Sequence, residues 1–378
     1  MKIKVIFIQD SLANAGTENS LLNILPYFSE KIEYKVVYLY PQHELLQKYQ
    51  QAAISTVFLD LKGKYDFLNG YSKIQKLFKS EKPDLVVSSL LRSNLLSRMV
   101  CKSMGIPILG TLVSDSYHKD AIETKGFSAK LKFRFFWNLD RYTARIPELF
   151  IANSAAIAAS HKKSLGISPE RTKVIYRGRI VPGKAWISKT TPYTSYNFVS
   201  YGRLIPLKGY RELIDAFSEV QKKFPSSTLT IYGEGHFRSS LEKQIENLHL
   251  STSVSLPGVH NNVTQELYQY DCFVFPSWYE GFSGALVEAM LSGIPIIASD
   301  IPMNLEAVKD KETALTFEVK NTQMLEQKMI FAIENPTIMQ IIGAKARVIS
   351  IERFDIKTIA RQYEEVLMEV YHKKNISI

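Results

Sequence analysis

The sequence predicts an α/β protein built from two doubly wound, parallel-sheet domains facing across a cleft. Three observations predict it. Short apolar strands alternate with helical periods from Val5 to Tyr176. The alternation stops over residues 182–197, P-G-K-A-W-I-S-K-T-T-P-Y-T-S-Y-N, and begins afresh at Phe198. The length, 378 residues, suits two domains.

The first series of strands reads Val5–Ile8, Lys35–Tyr40, Thr56–Leu59, Leu85–Ser88, Ile108–Val113, Leu149–Ala152 and Lys173–Tyr176. Helical periods such as Ser20–Phe28 and Tyr71–Phe78 separate them. Several strands are apolar throughout, as expected where helices cover both faces of a parallel sheet. The stretch 182–197 carries Pro, Gly, Ser and Thr without period, which suits a linker. The second series reads Phe198–Tyr201, Thr228–Tyr232, Val254–Leu256, Cys272–Phe275, Ile294–Ala298 and Leu315–Phe317. The expected domains are residues 1–182 and 198–355, joined by a linker at 183–197. A terminal helix over 356–378 is expected to pack back on the first domain. Ligands of such folds bind at the carboxyl ends of the strands.

Composition excludes several classes. Cys101 and Cys272 are too few for a disulfide framework or a metal knuckle. No signal peptide opens the chain, and no apolar run is long enough to span a membrane, so a cytoplasmic protein is expected. The net charge of +10 is unevenly placed. Residues 1–182 hold 27 Lys and Arg against 15 Asp and Glu, and the remainder holds 20 against 22. A basic first half favours a polyanionic partner: nucleic acid, an anionic membrane or a phosphorylated substrate.

Residues 280–288 read E-G-F-S-G-A-L-V-E, after an apolar strand and before a helical run ended by Ser292-Gly293. Glu280 falls in the loop and Glu288 on the first turns of the helix. The backbone N–H groups of Ser283, Gly284, Ala285 and Leu286 are expected unpaired there, as an anion site. A carboxylate at each end suits a ligand with hydroxyls on both sides of a phosphate, such as a nucleotide sugar. An ordinary capped helix with two solvated glutamates is the plain alternative. After strand Phe198–Tyr201 come Gly202-Arg203 and Lys208-Gly209. Arg203 offers a fork for phosphate and Lys208 a point charge. The next strand ends in Gly233-Glu234-Gly235, which lets the backbone approach something closely. In the first half, Gly16-Thr17-Glu18 follows the first strand, where Gly16 either admits a phosphate or simply makes the turn.

Taken in this order, Gly202-Arg203, Lys208-Gly209, Gly233-Glu234-Gly235 and Glu280-x7-Glu288 resemble the retaining glycosyltransferases of family 4, which have the GT-B fold. The stretch V-F-P-S-W-Y-E-G-F-S-G-A-L-V-E-A-M-L-S-G-I-P-I-I-A-S-D is similar to that family's most specific segment. The resemblance implies a nucleotide donor, UDP- or GDP-linked, held by the second domain, and a glycan or lipid-linked acceptor held by the first. It implies Arg203 and Lys208 on the diphosphate and Glu288 on the ribose. Glu280 and the Ser283–Leu286 backbone would hold the donor sugar and phosphates, with Gly16, Gly202 and Glu234 contributing. Leu256 to His260, with Gly258 and Val259, would frame the base. Transfer with retention is expected, the departing diphosphate taking the acceptor proton. No D-x-D triplet occurs, so neither metal nor cofactor is expected.

Two departures stand out. The family often carries a His after the fifth strand; here Leu112-Val113-Ser114-Asp115-Ser116 stands there and His118 follows, so Asp115 or His118 is the candidate substitute. Where members often read N-G, this chain reads Tyr176-Arg177-Gly178-Arg179, and Arg177 and Arg179 either bind an acidic acceptor or form a surface pair. Residues 130–145, K-L-K-F-R-F-F-W-N-L-D-R-Y-T-A-R, give an aromatic stripe beside a basic rim, suited to the anionic inner face of a plasma membrane. A core helix with solvated charges is the alternative, and nucleic acid is not favoured without a recognisable module. The expected function is glycosyl transfer in bacterial surface polysaccharide synthesis. The rivals are a nucleotide-sugar epimerase or hydrolase on the same fold, and a non-catalytic polyanion binder.

Overall fold

In the computed structural model the described residues are 2–114, 117, 126–187, 195–260 and 262–376. They fall into two compact units, residues 1–178 with 356–378, and residues 179–355.

The first unit holds one parallel sheet of seven strands, β1 (Ile3–Gln9), β2 (Ile32–Tyr38), β3 (Thr56–Phe58), β4 (Leu85–Ser88), β5 (Ile108–Leu112), β6 (Leu149–Ala152) and β7 (Thr172–Val174), in the order 3-2-1-4-5-6-7. β1 pairs on one side with β2, Phe7 opposite Val36, and on the other with β4, Phe7 opposite Val87. Strand order reverses there, making this the switch point of the sheet. β4, β5 and β6 are buried along their whole length, which explains their largely apolar composition. The last helix, Ile356–Ile376, lays Ile356, Ile359, Ala360, Val366, Leu367 and Val370 against Val5, Phe7 and Leu25. That helical spacing buries one stripe while charged residues line the rest.

The second unit holds six parallel strands, β8 (Asn197–Tyr201), β9 (Thr228–Tyr232), β10 (Val254–Gly258), β11 (Cys272–Phe275), β12 (Ile296–Ser299) and β13 (Leu315–Phe317), in the order 10-9-8-11-12-13. Its switch point lies between β8 and β11, with Phe273 opposite Val199. The helix Tyr210–Lys223 covers one face with Leu213, Ile214, Phe217 and Val220, all buried. The strands expected from the sequence are all present, with ends shifted by up to three residues. The first helix differs more. It runs Gly16–Ile24 and gives way to a tight turn at Leu25–Tyr27, because Pro26 has no N–H to continue it.

Candidate functional site

The carboxyl ends of β8 and β11 carry the residues singled out in the sequence. Gly202 and Arg203 follow β8, and the loop after β11 runs from Pro276 to the helix Gly284–Ser292. The Trp278 N–H donates to the Leu207 carbonyl at 2.9 Å, tying the two loops together. Lys208 and Glu280 thereby meet: the Lys208 ammonium donates to Glu280 Oε1, and both side chains are mostly buried. The ammonium also lies 5.5 Å from the centre of the Phe275 ring. The pairing neutralises two charges at the end of the central strand.

Glu288 forms the second pair. Its Oε1 accepts from Arg179 Nε at 2.6 Å, and its Oε2 accepts from the Tyr201 hydroxyl at 2.8 Å and the Thr264 hydroxyl at 3.0 Å. Burial, with the Glu288 charge beside it, holds the Tyr201 hydroxyl well above its usual pKa, so it stays a neutral donor. Tyr201 and Thr264 escaped the sequence reading. Tyr201 carried one signal, its place at the end of β8 just before Gly202-Arg203; Thr264 carried none.

The helix N-terminus differs from expectation in one respect. Ser283 is its cap, and the Ser283 hydroxyl accepts from the Leu286 N–H at 3.4 Å, so that group is not an open donor. The N–H groups of Gly284 and Ala285 have no hydrogen bond among the described residues. The Ala285 carbonyl accepts from Tyr201 at 3.2 Å. A Cβ on Gly284 would stand 2.0 Å from Nη2 of Arg179, so only glycine leaves room for that guanidinium. Arg179 therefore lies on the Glu288 carboxylate, within the second unit.

The remaining residues are placed as follows. Arg203 is exposed and has no ion pair among the described residues. Glu234 pairs with Arg238 at 2.7 Å, and its Oε1 would stand 3.1 Å from a Cβ on Gly258. Val259 is exposed, while the neighbouring His260 ring stacks on Tyr232 at 5.4 Å. The backbone approach that Gly233 and Gly235 permit is to Gly202 and Leu204: Cβ atoms there would fall 1.9 and 2.2 Å from those carbonyl oxygens. This glycine pair thus packs β9 against the Arg203 loop. In the first unit, Gly16 opens its helix beside the Arg177 guanidinium, whose Nη1 would be 3.0 Å from a Cβ. Asp115 and His118 lie outside the described residues. Among the described residues no helix is long and apolar enough to cross a membrane, and no group of three or more His, Cys, Asp or Glu could hold a metal.

The first unit adds two features that the sequence did not announce. Burial raises the pKa of Asp10, which follows β1 and accepts from the N–H and hydroxyl of Ser93 at 2.9 and 2.8 Å. Burial likewise raises that of Glu18, with the nearby Asp10 charge adding to the rise. Arg98 is fully buried and donates to Asp140 at 2.5 Å and Thr143 at 3.1 Å; the Tyr117 hydroxyl donates to the other Asp140 oxygen at 2.5 Å.

With this geometry in hand, both halves find relatives. Residues 15–179 match the model of glycosyltransferase family 4, and residues 185–348 that of glycosyl transferases group 1. A glycosyltransferase of Methanocaldococcus jannaschii is 36% identical over 106 residues, which cover 28% of this chain and 26% of that protein. The UDP-Gal:α-D-GlcNAc-diphosphoundecaprenol α-1,3-galactosyltransferase of Escherichia coli is 25% identical over 296 residues, 75% of this chain and 74% of its own. The chain spans 26%, 33% and 24% of the length of three relatives that it matches, the Methanocaldococcus jannaschii protein among them. The crystal structure of Anabaena HepE in complex with UDP superposes with a TM-score of 0.83 at 22% identity, covering 97% of this chain and 100% of that one. The fold is GT-B, two Rossmann-like α/β domains, and each half matches a glycosyltransferase family model.

Proposed function

We propose that the chain is a retaining glycosyltransferase that moves a sugar from a nucleotide donor to a glycan or lipid-linked acceptor in the synthesis of a bacterial surface polysaccharide. One observation carries the reading: Lys208 with Glu280, and Glu288 with its three partners, converge at the switch point of the second sheet. Ligands of doubly wound sheets bind at such points. UDP is the favoured nucleotide. The Escherichia coli relative uses UDP-galactose by its name, and the Anabaena structure holds UDP.

In the proposed reaction Glu288 holds the ribose and Glu280 the hydroxyls of the donor sugar. Lys208 and Arg203 hold the diphosphate and take up charge as the bond from the anomeric carbon to the phosphate oxygen breaks. The acceptor oxygen bonds that carbon on the same face, and its proton passes to the departing phosphate. No protein nucleophile is required.

The first unit supplies the docking face. Helix Phe127–Thr143 exposes Leu131 and Phe135, 65% and 63% accessible, and Phe136 stacks on Tyr65 at 5.7 Å, joining the helix to the exposed Leu68. Exposed Lys64, Lys132 and Arg134 belong to the same two segments. An apolar face with a cationic rim fits an anionic bilayer. Trp137 does not belong to this face, because its Nε1 donates to the Ser164 carbonyl at 2.9 Å and its ring stacks on Tyr117.

A thermal-shift series with UDP, GDP and ADP and their sugar conjugates, without added metal, tests the donor site. Selective stabilisation by UDP and UDP-sugars is expected through ligand linkage. No shift with any nucleotide would remove the reading.

A further inference from the structure

The assignment of Glu288 to the ribose rests on the reading above, and the structure adds a residue to it. Glu288 has about four lone-pair sites on its two oxygens, and three are engaged by Arg179, Tyr201 and Thr264. The carboxylate is thus fixed, with about one site left on Oε1 for a ligand hydroxyl. Arg179 is the only cation among these three partners. The pair is largely dry, with 12% and 19% of the two side chains accessible. A carboxylate so placed, left with two neutral hydroxyls, would lose the contact that fixes Oε1 and be free to rotate toward solvent.

Arg179 is itself held on three sides. Its N–H donates to the Phe354 carbonyl at 2.9 Å, and the backbone bridges Asp355 in parallel register. Its guanidinium fills the space over Gly284 that any side chain would deny it. We infer that Arg179 is the positioning residue for Glu288, holding that carboxylate aimed so that it grips the nucleoside of the donor, and that Gly284 is there to admit the guanidinium.

The test measures affinity for UDP, uridine and inorganic pyrophosphate by calorimetry, with GDP and guanosine in parallel. Arg179→Ala is expected to weaken uridine and UDP by the same factor, roughly ten-fold, the worth of one charge-assisted contact, and to leave pyrophosphate unchanged. Arg179→Lys restores part of the loss. Gly284→Ala, which expels the guanidinium without removing its charge, reproduces the loss, and the double variant is no worse than Arg179→Ala alone, as coupling through one contact requires. Gly284→Ala also stands in should Arg179→Ala fail to fold. Loss of UDP and pyrophosphate with nucleoside binding intact would overturn the inference, making Arg179 a phosphate ligand. Unchanged nucleoside binding in both variants would overturn it as well. Wild-type protein that binds no nucleoside and no nucleotide would instead overturn the donor-site reading on which it rests.

Discussion

Lys208→Met is the substitution that separates charge from packing at the donor site. Methionine keeps the aliphatic stem, which passes 3.6 Å from a Cβ position on Gly202, and removes only the ammonium. The Lys208 and Glu280 side chains are 16% and 13% accessible, so the pair is shielded from solvent. Hydrogen bonds to charged groups contribute about 1.5–3 kcal/mol, and Glu280 loses one. For a unit of this size that lowers Tm by roughly 3–12 °C. The catalytic cost is larger. A unit charge about 4 Å from a departing phosphate, at an effective dielectric near 20, contributes about 4 kcal/mol. One preorganised donor removed from a site of charge development typically costs about 10²–10³ in kcat. Lys208→Met should therefore lose about a thousand-fold in kcat for release of nucleoside diphosphate. Lys208→Arg should recover part of that, since it restores charge in a different shape. A loss below ten-fold in Lys208→Met, with folded protein, would refute the role of the ammonium in stabilising the leaving group.

Three further outcomes are expected. Asp140→Ala removes the carboxylate that pairs the buried Arg98 guanidinium and accepts from the Tyr117 hydroxyl, at a cost of about 3–5 kcal/mol, and calorimetry should show Tm falling by roughly 10 °C or more. Replacing Leu131 and Phe135 by Ser should release the protein from anionic liposomes in sedimentation while leaving Tm nearly unchanged; equal binding would remove the docking face. Glu18, its folded pKa raised by burial, gives up its proton more readily in the unfolded chain. Stability from this group is full below the unfolded value of about 4.3 and declines as pH rises towards the folded value. Glu18→Gln should thus gain in Tm relative to wild type as pH is raised from about 4 to 7, and a constant difference would contradict the burial argument.

The fold was legible because its strands are written as continuous apolar runs and its helices as periodic ones. Leu85–Ser88 and Cys272–Phe275 are buried end to end, as interior strands of a parallel sheet are. Glu280 and Glu288 were legible for a local reason, the strand, loop and helix around them. Their partners were not. Arg179 stands 109 residues from Glu288, and no local pattern announces a contact at that range. The sequence showed an arginine pair beside a glycine and left open what it faced. Arg98 is the converse case: an arginine in a helix is ordinarily solvated, yet here Arg98 is buried together with Ser93, Ser97, Val100 and Cys101. Small serines on that helix were the available sign that it is covered on more than one face.

The most direct test supplies UDP-sugars to the purified chain, with and without a short-chain GlcNAc-diphosphoprenol acceptor, and follows the anomeric protons by NMR. Release of UDP that depends on acceptor, with a product keeping the donor's anomeric configuration, is the predicted result. Consumption of the donor without acceptor, or an inverted product, would contradict retaining glycosyl transfer at this site.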